Sequence, residues 1–162
     1  MTPYGTAAKA IRTALPGRSA RIALVLGSGL GPIADAVENS ASVSFDDIPG
    51  FPKPAVEGHH GRLIHGTLSD RELFVLQGRA HAYEGHALSD VVLPVCALAL
   101  LGVETLVLTN AAGSLREDMA PGSLMMLSDH INWSGANPLI GPNDSALGPR
   151  FFDMTRAYDA DL

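Results

Sequence analysis

Short apolar runs separated by polar segments predict strands along most of the chain. The runs lie at residues 21–26, 43–45, 62–67, 71–76, 104–108 and 124–127. Apolar runs of this length are typical of strands that are buried in a sheet. The third and fourth runs are joined by a short polar link that includes Ser69 and Asp70, which predicts an antiparallel hairpin.

Helical spacing and capping residues predict helices before, between and after these strands, at residues 3–15, 32–38, 91–101 and 154–162. Thr2 is the expected N-cap of the first helix and Pro3 its first residue. Ser89 and Asp90 are expected to cap the third helix, and Asp153 the last. Strands that alternate with helices indicate an α/β fold, and the hairpin makes its central sheet mixed.

The chain has 162 residues, 46% of them apolar, which suits a single domain spanning residues 1–162. The last predicted helix reaches the final residue without a stop signal, so we expect the front part of a longer protein whose C-terminal part is missing. A net charge of −6 disfavours a nucleic-acid partner. The sequence shows neither a secretion signal nor an apolar run that could span a bilayer, so a cytoplasmic location without membrane contact is expected.

Three predicted strands end alike, because each apolar run stops abruptly at small and polar residues. These ends place Ser28, Arg79 and Asn110 just beyond their strands. In open α/β sheets, ligands bind beyond the carboxyl ends of the strands. If the three strands are parallel neighbours, the three residues converge on one crevice.

The first of these ends is a glycine-rich turn at residues 27–31 that leads into a predicted helix, an arrangement that suits an anion. The turn is not a P-loop, because no Gly-Lys-Ser/Thr follows it, and it lacks the last spacing of the dinucleotide motif. Asp46 and Asp47 lie at about the distance of a ribose-binding acid, so a dinucleotide site stays open. Ser28 does not complete the Gly-x-Ser-x-Gly motif of a serine hydrolase.

The second end carries the densest polar cluster, at residues 78–86. Arg79 offers a planar fork that suits phosphate, His81 adds a donor, and Glu84 can orient that histidine. The six histidines of the chain keep a metal site open as an alternative, although no His-Glu-x-x-His is present and the single cysteine, Cys96, excludes a cysteine cluster.

Taken together and in this order, several segments resemble the trimeric purine nucleoside phosphorylase family. The matching segments are LGSGLG at 26–31, GHHGRL at 58–63, GRAHAYEG at 78–85, TNAAG at 109–113, DHIN at 129–132, NPL at 137–139, GPND at 141–144 and FDM with AYD within 152–159. They cover essentially the whole chain, and the run at 79–85 favours this family over the related methylthioadenosine phosphorylases.

The resemblance implies a twisted mixed sheet flanked by helices, and the reversible phosphorolysis of purine ribo- and deoxyribonucleosides such as inosine and guanosine. The products are the free purine base and pentose 1-phosphate, as in purine salvage. Inorganic phosphate is then a co-substrate, and no cofactor or metal is implied. The family's assembly implies a homotrimer.

The resemblance also assigns site residues. Those implied to bind phosphate are Ser28, His59, Arg79, Ala80, His81 and Ala111. Those implied to contact the nucleoside are Tyr83, Asn110, Ala111 and, from a neighbouring subunit, Phe151. His81 and Glu84 are the catalytic candidates, with Glu84 holding the His81 region.

The chain departs from the family pattern in two respects. Ser114 stands where many relatives have a second glycine. The family's purine-recognising Glu and Asn, a sugar-contacting Met and His and one phosphate Ser lie beyond Leu162, so base preference is not fixed here and the 162-residue chain alone is expected not to turn over inosine. The alternatives are a xanthosine-preferring phosphorylase and an inactive phosphate- or nucleoside-binding fragment.

Overall fold

A mixed sheet of five strands lies in the first part of the chain in this computed structural model. The structure describes residues 1–53 and 61–162 and separates two units, Met1–Ala111 and Ala112–Leu162. The strands are β1 (Ile22–Leu26), β2 (Glu38–Ser44), β3 (Arg62–Leu68), β4 (Arg71–Gln77) and β5 (Thr105–Leu108), in the order β2-β3-β4-β1-β5. β1 runs parallel to both β4 and β5, whereas β2, β3 and β4 pair antiparallel. The predicted α/β fold with a mixed sheet is confirmed.

The predicted hairpin joins β3 to β4. Both linking residues, Ser69 and Asp70, have positive φ angles, of 48° and 61°. A two-residue turn of this handedness matches the natural twist of paired strands. The turn therefore fixes the register, in which Leu68 lies opposite Arg71 and Arg62 opposite Gln77.

Two α-helices, α1 (Pro3–Ala14) and α2 (Leu88–Leu100), pack against each other. The Thr2 side chain accepts a hydrogen bond from the Gly5 amide at the start of α1, which confirms the predicted cap. The predicted caps of α2 are wrong, because α2 begins earlier, after Ala87, and Ser89 and Asp90 lie in its first turn. Among the helices of the described residues, none is long and apolar enough to cross a membrane.

Apolar side chains bury both faces of the sheet at β1, β3 and β4. On one face, inward residues of β1, β3 and β4 such as Leu63 and Phe74 pack with α1 and α2. On the other face, their neighbours Ile64 and Val75 pack with residues of a 3₁₀ helix at Gly31–Ala36. Because successive side chains of a strand point to opposite faces, burial of both faces explains why residues 73–76 of β4 are apolar without interruption.

Several predicted elements differ from the structure. The helix predicted at 32–38 is the 3₁₀ helix Gly31–Ala36. The strand predicted at 43–45 is β2, which begins at Glu38, because its pairing with β3 extends it toward the N-terminus. Residues 124–127 form no strand, since no strand of the described residues pairs with them. An apolar run needs a hydrogen-bonding partner to become a strand.

Residues 154–162 form turns rather than the predicted helix. The Asp153 carboxylate accepts a hydrogen bond from the Thr155 amide at 2.9 Å, which closes a local turn instead of capping a helix. So short a helix needs a packed apolar face, and Phe152 and Met154 are both exposed here.

Candidate active site

Three parallel strands end at one edge of the sheet. In the register, Leu26 at the end of β1 lies beside Gln77 at the end of β4, and Val25 lies beside Leu108 at the end of β5. The segments that follow these strands therefore leave the sheet together. A single crevice was expected only if the three strands are parallel neighbours, and the structure confirms that they are.

The glycine-rich turn after β1 is held against the end of β5. The Gly27 amide donates a hydrogen bond to Thr109 Oγ1 at 2.8 Å, and the Thr109 hydroxyl donates in turn to the Val25 carbonyl at 2.8 Å. A Cβ at position 27 would lie 2.4 Å from the Thr109 carbonyl oxygen, so only glycine fits there. Gly29, with φ of +84°, then turns the chain in a conformation that glycine favours.

Arg79 leaves the end of β4 and reaches the end of β5. Its Nη1 donates to the Thr109 carbonyl at 3.0 Å, and its Nε donates to His81 Nε2 at 3.1 Å. A guanidinium has five N–H groups, so these two bonds to described residues fix its plane and leave donors for an oxyanion.

His81 is oriented by Glu84. One carboxylate oxygen, Oε1, accepts from the His81 backbone amide at 2.9 Å and lies 2.5 Å from Nδ1 of the ring. Because Arg79 can only donate to Nε2, the ring hydrogen belongs on Nδ1, where it is donated to Glu84. The Glu84 side chain is only 8% exposed, whereas that of His81 is 33% exposed, so the carboxylate supports the imidazole from the protein side.

A capping arrangement fixes the backbone of this segment. The Glu84 side chain accepts from the His81 backbone amide, and the Glu84 backbone amide donates to the His81 carbonyl at 3.0 Å, which closes a 3₁₀ turn, Ala82–Glu84. Gly85 ends the turn with φ of +94°. The close sequence spacing of the polar residues is therefore explained by one turn that presents them on one side.

Tyr83 stacks on the His81 ring. The two ring centroids lie 4.7 Å apart with an interplanar angle of 18°, and Tyr83 is 84% exposed. An exposed aromatic face next to a cationic and an imidazole group offers a flat apolar surface to a ligand. This is the position that the resemblance gives to the sugar.

The far end of the glycine-rich turn is held by β4 and β3. Gln77 Nε2 donates to the Gly31 carbonyl at 3.1 Å, and the Gln77 side-chain oxygen accepts from Arg62 Nε. The Arg62 guanidinium also lies 3.4 Å from the Asp35 carboxylate. Arg62 and Gln77 are cross-strand partners, so the hairpin itself supplies this support.

The remaining predicted residues occupy different surroundings. Ala80 is buried, whereas Ser28, Asn110 and Ala111 are exposed. The Asn110 side-chain amide donates to the Ala111 carbonyl at 3.4 Å. His59 lies outside the described residues. Phe151 belongs to the unit Ala112–Leu162 and is 88% exposed.

The structure thus brings together the chain segments of Ser28, Arg79, His81 and Asn110, while their binding roles stay predictions. Among residues 1–53 and 61–162, no group of three or more His, Cys, Asp or Glu side chains is arranged to hold a metal ion.

Two residues with structural roles at the site, Thr109 and Gln77, were given no role from the sequence. Both are polar residues at or just beyond the last position of an apolar strand. A hydroxyl or amide at that position can bond the neighbouring strand end, which is the signal that could have identified them.

The comparisons with known proteins agree on one kind of relative. A family model, the phosphorylase superfamily, matches residues 21–162. Purine nucleoside phosphorylase 1 of Geobacillus stearothermophilus is 53% identical over 144 residues, which are 89% of this chain and 53% of that protein. The mouse purine nucleoside phosphorylase is 46% identical over 145 residues, which are 88% of this chain and 50% of the relative.

Solved structures show the same likeness. The crystal structure of the purine nucleoside phosphorylase of Schistosoma mansoni in complex with acetate superposes with a TM-score of 0.89 and 40% identity, covering 98% of this chain and 59% of the other. Isoform 2 of that enzyme, crystallised with cytosine and ribose 1-phosphate, gives a TM-score of 0.87 and 36% identity, covering 98% of this chain and 56% of the other. The chain spans about half the length of the curated relatives it matches.

Proposed function

The chain belongs to the phosphorylase superfamily, and from this we propose that it supplies the phosphate-binding part of a purine nucleoside phosphorylase. The reaction is the reversible phosphorolysis of purine ribo- and deoxyribonucleosides such as inosine and guanosine. The observation that carries the proposal is the Arg79 guanidinium, which is fixed at the carboxyl ends of parallel strands beside a glycine-rich turn.

The reaction needs phosphate as both nucleophile and counter-charge. A phosphate oxygen forms a bond to the anomeric carbon of the pentose, and the bond from that carbon to the purine nitrogen breaks with its electron pair leaving on the base. Cleavage of this bond proceeds through an oxocarbenium-like state, which carries positive charge on the sugar. A phosphate held directly beneath the sugar stabilises that charge electrostatically.

The site's side chains divide this work. Arg79 and the backbone amides of the glycine-rich turn bind the phosphate, with Ser28, His59, Ala80 and Ala111 contributing as the family pattern implies. His81, which is oriented by Glu84, accepts from Arg79 Nε and so holds the guanidinium in place, and the family pattern implies that its ring also lies at the phosphate. Tyr83 lies against His81 and contacts the pentose, and Asn110 lines the pocket between phosphate and base.

Two further features belong to the proposal. We expect a homotrimer in which the exposed Phe151 ring enters the site of a neighbouring subunit. We also expect a cytoplasmic enzyme that requires no cofactor beyond its co-substrate phosphate. The solved relative that was crystallised with ribose 1-phosphate supports pentose 1-phosphate as the product.

The proposal predicts that Arg79→Ala, made in the protein as it occurs naturally, raises the KM for phosphate at least about tenfold. Each charge-assisted hydrogen bond is worth roughly 1.5–3 kcal/mol, and a tenfold change needs about 1.4 kcal/mol. Steady-state kinetics with inosine at varied phosphate concentration measures this effect.

Arg71→Ala is the matched control, because Arg71 lies at the opposite end of β4 and is exposed. It should leave the phosphate KM unchanged. An unchanged phosphate dependence in Arg79→Ala would contradict the assignment of Arg79, and a wild-type protein that releases no purine base would contradict the proposed function itself.

A further inference from the structure

Thr109 is the residue at which the two phosphate-binding segments of the proposed site meet. Its hydroxyl accepts from the Gly27 amide at 2.8 Å and donates to the Val25 carbonyl at 2.8 Å. Its own carbonyl accepts from Arg79 Nη1 at 3.0 Å. One residue after β5 is therefore bonded to the glycine-rich turn after β1 and to the arginine after β4.

The bonds of the Thr109 hydroxyl fix its direction. Since the Gly27 amide can only donate, the hydroxyl oxygen accepts that bond and the hydroxyl hydrogen goes to Val25. The Val25 carbonyl also accepts from the Thr109 amide at 3.1 Å, which holds the residue in the sheet ladder. The hydroxyl is thus part of a fixed frame, and Gly27 is tied to that frame.

The backbone of Thr109 and Asn110 lies so close to Gly27 that the glycine-rich turn has little room to shift relative to the end of β5. A Cβ at position 27 would lie 2.7 Å from the Asn110 Cα, so the turn and the segment after β5 are already in close contact. Beyond Gly27, the turn is next held at Gly31 by Gln77. Ser28 lies between these two points, so its position depends on both.

We propose that Thr109 is a positioning residue for phosphate, whose hydroxyl sets the place of the Ser28 turn relative to Arg79. This inference rests on the proposed function, because it assumes that Ser28 and Arg79 bind the same phosphate. The hydroxyl itself does not touch the reacting atoms. It instead sets the distance between the Ser28 turn after β1 and Arg79 after β4, which must both reach the same phosphate.

The substitution Thr109→Val removes the bond between the hydroxyl and Gly27 while keeping the bond between the Thr109 carbonyl and Arg79. Valine keeps the β-branched shape and the backbone carbonyl that Arg79 bonds, but it removes the only side-chain acceptor of the Gly27 amide among the described residues. We expect about a fivefold rise in the KM for phosphate, which corresponds to the loss of one ordinary hydrogen bond. The KM for the nucleoside and kcat should each change less than about twofold.

Three further variants complete the test. Thr109→Ser keeps the hydroxyl and should restore the wild-type phosphate KM within about twofold. Thr105→Val removes a hydroxyl at the opposite end of β5 and should leave that constant unchanged. Thr109→Ala replaces Thr109→Val if the valine variant does not fold, with the same expected rise.

Two measurements that do not depend on turnover accompany the kinetics. Calorimetric titration with inorganic phosphate should give the same fivefold weakening in Thr109→Val. Amide hydrogen exchange at Gly27 should be faster in Thr109→Val than in the wild type or in Thr105→Val, because the amide has lost its acceptor.

The outcomes separate the two proposals. If the wild-type protein as it occurs naturally releases no base from inosine, the proposed function fails, and the phosphate titration still tests the role of Thr109. If the wild type is active but Thr109→Val binds phosphate as tightly as the wild type, the positioning role is overturned. An equal loss in phosphate KM, nucleoside KM and kcat would also overturn it, because that result indicates a general structural defect.

Discussion

Residues 1–111 and 112–162 both contain many apolar side chains, but the two units place them differently. In the first unit, the buried core extends from Ala7 to Leu98 and includes both faces of β1, β3 and β4, whereas Leu106, Val107 and Leu108 of β5 are exposed. In the second unit, most of the large apolar side chains are exposed, including Leu115, Leu124, Met126, Ile131, Trp133 and Ile140. Apolar content alone therefore does not decide whether a segment becomes a strand or a helix.

Two apolar runs of similar character illustrate the difference. The run at β4 lies between β3 and β1, which satisfy its backbone amides and carbonyls on both sides. The run at 124–127 has no strand partner among the described residues, and its side chains are exposed. The lesson is that a neighbouring strand, rather than the run itself, makes the element.

The largest expected consequence of this difference is in amide hydrogen exchange. In the 162-residue chain, amides in the centre of β4, such as that of Val75, should exchange at least about a thousandfold more slowly than those of residues 124–127. Their exchange requires the sheet to open, which costs a large part of the global stability. Exchange followed by mass spectrometry or NMR measures both segments at once, and similar protection in β4 and in residues 124–127 would contradict the structural difference between them.

Core truncation should give the next largest effect. Leu63 is fully buried between the sheet and the helices, so Leu63→Ala should lower the free energy of unfolding by about 2–5 kcal/mol through lost burial and a residual cavity. Leu124→Ala is the matched control in the exposed unit, and it should cost less than about 0.5 kcal/mol. Chemical denaturation of the two variants provides the comparison, which would be reversed by a larger loss in Leu124→Ala.

The smallest effect concerns local order in the second unit. Arg116 donates to both oxygens of the Asp118 carboxylate, at 2.9 and 2.5 Å, and these hydrogen bonds lower the pKa of Asp118 below its ordinary value. A carboxyl whose pKa is lowered by folding stabilises the folded state at neutral pH, and this contribution is lost as the pH falls through the lowered pKa. Arg116→Gln should therefore raise the pKa of Asp118 toward its ordinary value.

Asp153 is the internal control for this titration. Its pKa is also lowered, by hydrogen bonds from the side chain and the backbone of Thr155, and these bonds do not involve Arg116. Carbon-detected NMR titration of the carboxyl groups should show Asp118 changing in the variant and Asp153 unchanged. If both pKa values moved together, the shifts would not arise from these local bonds.

The segments of the candidate site were predictable from the sequence to the extent that their chemistry is local. Arg79, His81 and Glu84 lie within one short segment, so their spacing already indicated a polar cluster, and the structure places Arg79 and Glu84 on opposite ring nitrogens of His81. The hydrogen bonds by which Thr109 and Gln77 hold the glycine-rich turn are not evident from the sequence, because each residue bonds a segment that is distant in the chain. Such bonds depend on strand order, which an isolated segment does not reveal.

Local signals in the sequence were enough to predict α1 with its Thr2 cap and the β3–β4 hairpin with its two-residue turn. By contrast, folding was needed to place β1 between β4 and β5, to start α2 at Leu88, and to leave residues 124–127 and 154–162 without regular structure. The contrast arises because caps and tight turns are satisfied by near neighbours in the chain. Strand pairing and the burial of an apolar face require partners that folding must bring from elsewhere.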